Sequence, residues 1–216
     1  MYRTRGDIMI KHMMVTDIYN LIDNIVKTQD ILTNEWHTDI TKGINNQGVV
    51  SQDIVNNHLM NFKIWHAEDI ARQTDVPDSV IANCKHDIDV LNQRRTVYYE
   101  AIDEYFMSLL QDVVINDSNV PYNTESVGSI IDRLSILSLK IYHMQEEKRR
   151  RTVEDSEYES VSNKLELLLR QKQDLVMAFK HLIQEYFDGN KRPLSYKQFK
   201  MYNNKSLNPM LYKQQD

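Results

Sequence analysis

Glycine and proline are scarce in this chain: five of the one and four of the other in 216 residues. An all-β domain uses both at frequent turns, so their shortage argues against sheets and for long uninterrupted helices. Cysteine is nearly absent. Cys84 alone closes no internal disulfide, and no C-x-x-C pair exists to build a zinc ribbon, which fits a reducing cytoplasm. Long apolar runs are missing: no stretch approaches the roughly 18 residues that cross a bilayer. The first residues, M-Y-R-T-R-G-D-I-M-I-K, lack the apolar core and small-residue cleavage site of a signal peptide. The expectation is a soluble, cytoplasmic protein with no membrane span. HExxH, P-loop and G-x-S-x-G motifs are also lacking, so a phosphate cradled by a glycine-rich loop is not expected.

The formal net charge is -5, which disfavours a nucleic-acid partner. The distribution is uneven. From Gly189 onward, Lys191, Arg192, Lys197, Lys200, Lys205 and Lys213 face a single anion, Asp216, leaving an acidic body and a basic tail. Docking of the tail on its own body is the simpler reading, and an external anionic partner is the other.

Apolar spacing gives the helices. Thr16 or Asp17 can cap a first helix in which Ile18, Ile22, Ile25, Leu32 and Trp36 recur at steps of three and four, ending before Gly43. A second runs from about Ser51 to about Arg72 with two stripes. Leu59, Phe62, His66 and Ile70 form an apolar face interrupted by histidine, and Asn61, Trp65, Glu68 and Arg72 form a polar one anchored by tryptophan. Asp75, Pro77, Asp78 and Ser79 signal the next start. From there Ile81, Cys84, Ile88, Leu91, Arg95, Tyr98, Ile102, Tyr105 and Leu109 make a long stripe broken once, by Arg95. The last long helix carries Tyr158, Val161, Leu165, Leu168, Lys172, Leu175, Phe179, Leu182 and Tyr186, broken once by Lys172. Such spacing predicts an all-α, up-down bundle of about five helices, two of them long, with a short C-terminal helix. Residues 1–216 read as a single domain, with the basic tail of 189–216 packed on the body.

Between the long helices lies T-E-S-V-G-S-I-I-D-R-L-S-I-L-S-L-K-I-Y-H-M, Thr124 to Met144. Ile130, Leu134, Leu137, Ile141 and Met144 line one face while Ile136 and Leu139 lie opposite, so this helix is apolar nearly all round and belongs in the interior. Yet it carries Asp132, Arg133, Lys140 and His143. Charges in an interior are costly unless paired, which leaves two readings: a structural ion-pair layer fixing register, or a site for a polar ligand. Under the second, Arg72, Arg95, Arg133, Lys140 and Lys172 are candidate clamps for an anionic substrate and Glu68, Asp69, Asp132 or His66 candidate proton carriers. A metal in a bundle needs ligands from facing helices, typically Glu-x-x-His pairs, and none occurs. The reversed pairs His66/Asp69, His86/Asp89 and His143/Glu146 are weak signals, and neither metal nor cofactor is expected.

N-F-K-I-W-H-A-E-D-I-A-R at Asn61 to Arg72, I-D-V-L-N-Q-R-R at Ile88 to Arg95, the central motif, and K-Q-F-K-M-Y-N with L-N-P-M-L-Y near the end together resemble a bacterial domain-of-unknown-function family, numbered 4254. The resemblance covers most of the chain. It implies a companion of glycosyltransferases in lipopolysaccharide or surface-polysaccharide assembly, and no activity comes with it. Carried over residue by residue, the pattern points to Asn61, Trp65, His66, Glu68, Asp69, Arg72, Asn92, Glu125, Gly128, Asp132, Arg133, Lys140, Asn208 and Pro209. Thr96 departs from it, standing where Asn is expected. The leading expectation is a non-catalytic accessory or binding protein, and the runner-up a metal-free enzyme acting on an anionic sugar phosphate or sugar nucleotide. The partners left open are a glycosyltransferase, an anionic small molecule and a second copy of the chain.

Overall fold

The computed structural model describes residues 14–43, 50–113, 119–198 and 206–209. Five α-helices account for most of them: α1 Val15–Trp36, α2 Gln52–Ala71, α3 Asp78–Leu109, α4 Val127–Arg149 and α5 Tyr158–Phe187. Among the described residues there is no strand, only an isolated bridge between Tyr122 and Arg192. The short C-terminal helix, the last two sequence motifs for the most part, and Lys200, Lys205 and Lys213 lie outside the described residues.

Local chemistry places the helix starts. Ser51 caps α2 by accepting from the Asp53 N–H, and Ser126 caps α4 by accepting from the Ser129 N–H. On α1 the cap falls two or three residues earlier than the sequence suggests: Met14 occupies it, and Asp17 reaches back to accept the Met14 N–H at 3.0 Å. Gly43 closes the following turn at φ 65°, a left-handed conformation that glycine adopts freely.

α4 is the axis of the bundle and packs against each of the other four helices. This explains its all-round burial: Ile130, Ile131, Leu134, Leu137, Leu139 and Ile141 point in every direction and find a neighbour in most. The α2–α3 hairpin covers one side of α4, and α1 with α5 covers the other. At the α3–α4 crossing Gly128 lies directly against the Tyr99 carbonyl, where any Cβ would overlap the oxygen. The Gly128 N–H donates to Asp103 Oδ1 at 2.6 Å, tying the start of α4 to α3.

The α5 stripe is buried at Val161, Leu165, Lys172, Phe179, Leu182 and Tyr186, as its spacing predicts. The α3 stripe drifts. Its second half buries Tyr99, Ile102, Asp103 and Phe106 instead of Tyr98, Tyr105 and Leu109. A strict seven-residue repeat slips by about 20° per heptad on a straight 3.6-residue helix, so over a helix of 32 residues the buried line moves by one position.

After α5 the chain runs back over α3. The Arg192 N–H donates to the Pro121 carbonyl at 2.9 Å, and the Gln198 N–H donates to Glu100 Oε1 at 2.7 Å. Lys191 pairs with Glu185 at 2.8 Å and Lys197 with Glu104 at 3.3 Å.

Candidate functional site

A polar layer crosses the bundle, centred on Asp132 of α4. Its Oδ1 accepts from Asn57 Nδ2 and Asn61 Nδ2 of α2, each at 2.9 Å, and lies 3.6 Å from Arg95 Nε of α3. The hydrogen bonds continue in one direction. Asn61 also donates to Ser135 Oγ at 2.9 Å, Ser135 faces His58 Nδ1 at 2.7 Å, and His58 Nε2 faces the Thr33 hydroxyl at 3.0 Å. Thr33 in turn donates to the Gln29 carbonyl at 2.8 Å. With Thr33 donating onward, it accepts from His58 Nε2–H, and His58 Nδ1 accepts from Ser135; both ring nitrogens are satisfied by the neutral imidazole alone. Burial agrees, pushing the His58 pKa down to about 3. One turn along α4, Ser138 accepts from the Lys172 ammonium of α5 at 2.9 Å, and Lys172 also pairs with Asp30 of α1. All five helices contribute to this layer.

Above its α3 end is an open pocket of about 430 Å³ lined by Asn61, Ile64, Trp65, Glu68, Asp69, Arg72, Arg95, Ile136 and Leu139. The polar stripe of α2 forms one wall because Trp65, Glu68 and Arg72 follow Asn61 at steps of three and four. Both of its guanidinium groups have partners: Arg72 pairs with Glu68 at 2.7 Å, and Arg95 contacts Asn61 Oδ1 at 3.4 Å beside Asp132. Trp65 stacks on His143 of α4 with ring centres 4.7 Å apart and planes within 4°.

The structure thus gathers Asn61, Trp65, Glu68, Asp69, Arg72 and Arg95 into one pocket, with Asp132 beneath it. Lys172 joins the layer from the far side. Arg133 and Lys140 lie apart. They occupy a strip of α4 that no neighbouring helix covers, and Arg133 pairs there with Glu125 at 3.2 Å. Asn92 is half-buried on α3 and bonded through its carbonyl to the Thr96 hydroxyl at 3.0 Å; in the short stretch 206–209, Asn208 is half-buried and Pro209 exposed. Gln29 fills the gap in the apolar stripe of α1, whereas Thr33, Asn57, His58, Ser135 and Ser138 were not picked out by sequence reasoning, because no charge or aromatic break in a stripe marks them.

His66 does not line the pocket: its Nδ1 lies 3.7 Å from Asp69, and its ring belongs to an aromatic cluster with His37, Phe62 and His143. His37, the residue closing α1, stacks on Tyr142 at 3.8 Å. One ring nitrogen from each of His37, His66 and His143 lies within 4.8 Å of the other two. Burial, and then the neighbouring His37, hold the pKa of both His66 and His143 below the ordinary imidazole value.

A second, larger cleft of about 650 Å³ opens between α1, α4 and α5, with Val26, Ile141, Leu169, Val176 and Met177 as apolar walls around the Asp30–Lys172 pair. No helix among the described residues is long and apolar enough to cross a membrane.

Comparison with curated proteins and with solved structures finds no match. Residues 51–194, however, match a family described as protein of unknown function (DUF4254). Every residue lining the α2–α3–α4 pocket falls inside the matched segment, whereas Val26, Asp30, Thr33 and Asn34 of the larger cleft lie outside it. The matched segment takes in α2 to α5 with Asp132, its partners Asn57, Asn61 and Arg95 and the pocket above them, and the chain belongs to this DUF4254 family.

Proposed function

We propose that this chain is a non-catalytic binding protein of surface-polysaccharide assembly whose α2–α3–α4 pocket receives a sugar unit. The observation that carries this reading is the pairing of an aromatic wall with hydrogen-bonding groups among which carboxylates outnumber guanidinium groups. Trp65 offers a rigid apolar face suited to the C–H side of a pyranose, while Asn61, Glu68, Asp69, Arg72 and Arg95 supply donors and acceptors at the edges. Two cations stand against Glu68 and Asp69 at the walls and Asp132 beneath, so a phosphate entering the pocket would meet a net negative surround. A neutral polyhydroxylated ligand meets no such cost. The resemblance to companions of glycosyltransferases supports the glycan setting and a glycosyltransferase as the protein partner.

The runner-up, a metal-free enzyme acting on a sugar phosphate or sugar nucleotide, draws on the same two guanidinium groups. It needs Arg72 and Arg95 to leave their carboxylates for the substrate. Thermal-shift screening separates the readings: at about 100 times its dissociation constant, a bound ligand adds about 2.7 kcal/mol of stability. Neutral hexoses or N-acetylhexosamines are expected to raise the melting temperature, with the gain lost in Trp65→Leu. A shift given only by phosphorylated sugars would favour the enzyme, and no shift with any sugar would refute the pocket as a glycan site.

A further inference from the structure

We propose that His37, His66 and His143 form a binding site for one divalent transition metal ion of the zinc class, with Glu146 holding His143 in its ligating tautomer. The proposal is independent of what the α2–α3–α4 pocket binds.

The hydrogen bonds around two of the rings fix where their protons are. His37 Nδ1 lies 2.6 Å from the Thr33 carbonyl oxygen, which only accepts, so Nδ1 carries the hydrogen. His143 Nδ1 lies 3.2 Å from Glu146 Oε2, and a carboxylate again only accepts. Each neutral ring therefore presents a lone pair at Nε2. Those two Nε2 atoms face each other at 3.3 Å. Two lone pairs so placed repel unless a cation lies between them.

The separation is that of metal ligands. Tetrahedral zinc with Zn–N bonds of about 2.0–2.1 Å sets its ligand nitrogens about 3.3 Å apart. His66 supplies the third corner, since the three ligand atoms all lie within 4.8 Å, and a ring movement on the order of 1 Å would bring it to bonding distance. His37 stands just past the end of α1, His66 on α2 and His143 on α4, which explains why no sequence motif announces the site. Imidazole-only ligation suits zinc, nickel, cobalt or copper over magnesium or calcium, which take oxygen. A carboxylate on the distal nitrogen of a ligating histidine is the usual support of such sites, and Glu146 stands in that place, one turn along α4 from His143. All three rings are half-buried, so the fourth position is open to water or a further ligand.

The test is a titration of the chelator-treated full chain with Zn²⁺, followed by calorimetry and by the imidazole ¹⁵N resonances. One equivalent is expected to bind with a dissociation constant below about 1 μM. The shifts are expected at His37, His66 and His143, while His58, His86 and His181 stay unchanged. His143→Gln should weaken binding by more than about 100-fold, and Glu146→Gln, which keeps all three ligands, by about 10- to 100-fold. Should a variant fail to fold, the wild-type resonances alone carry the result. Absence of a one-to-one event in the wild type, as a proton shared between the two Nε2 atoms would give, overturns the proposal. So does binding that shifts His86 or His181 instead.

Discussion

Replacing Asp132 by alanine probes the whole polar layer at once. The side chain is 12 % exposed and accepts two amide hydrogen bonds beside Arg95, whose own side chain is 28 % exposed. Alanine leaves the Asn57 amide without its acceptor, the Asn61 amide with Ser135 Oγ alone, and Arg95 without its carboxylate. Breaking a buried ion pair by removing one partner costs about 3–5 kcal/mol. Arg95 lines the pocket and keeps some access to water, so the lower end of that range, about 3 kcal/mol, is expected. For a domain of this size that loss lowers the melting temperature by about 6–12 °C. Urea unfolding followed by far-ultraviolet circular dichroism measures it, with the slope of the transition unchanged. Combining Asp132→Ala with Arg95→Met should recover part of the loss, because the stranded cation is gone. A loss below about 1 kcal/mol, or strict additivity of the two changes, would refute a buried pair at the centre of the layer.

Three further outcomes follow from the same geometry. His58 is neutral in the fold with its pKa lowered to about 3, so it contributes stability above the unfolded-state value near 6.5 that is lost as the pH falls from there towards 3. Between pH 6.5 and pH 5 the loss is about 2 kcal/mol, and a His58→Gln chain should show a shallower decline over that window. Gly128→Ala must push α4 away from the Tyr99 carbonyl and should cost about 2 kcal/mol or more, measurable by thermal unfolding. The Lys172–Asp30 pair should respond asymmetrically, because the Lys172 side chain is 10 % exposed while the Asp30 side chain is 49 % exposed. Lys172→Met should stay within about 1 kcal/mol of the parent, while Asp30→Ala, which strands the buried ammonium, should cost about 2 kcal/mol; equal losses would contradict it.

The helices were legible because few residues interrupt them and because apolar positions recur at three and four. The interior place of α4 followed from Ile136 and Leu139 lying opposite Ile130, Leu134 and Leu137. Polar, charged or aromatic residues on those stripes stood out, so Asn61, Trp65, Arg95, Asp132 and Lys172 could be named. Partners distant in sequence could not. Asn57 and Asp132 are 75 residues apart, and His58 and Ser135 are 77 apart, so only the packed fold pairs them. Arg133 and Lys140 illustrate a different limit. Seven residues apart, they share one line of α4, but which line the neighbours leave uncovered is a property of packing. His37 escaped notice because it stands just past the end of α1, where periodicity carries no information.

The central claim, that the α2–α3–α4 pocket receives a sugar, is tested most directly by mapping backbone and indole chemical shifts of the isotopically labelled chain during titration with neutral hexoses and N-acetylhexosamines. Saturable changes are expected at the Trp65 indole, Asn61, Glu68, Arg72 and Arg95, with Leu169, Val176 and Met177 of the opposite cleft unmoved. Changes confined to that cleft, or a spectrum unaltered by every sugar, would contradict it.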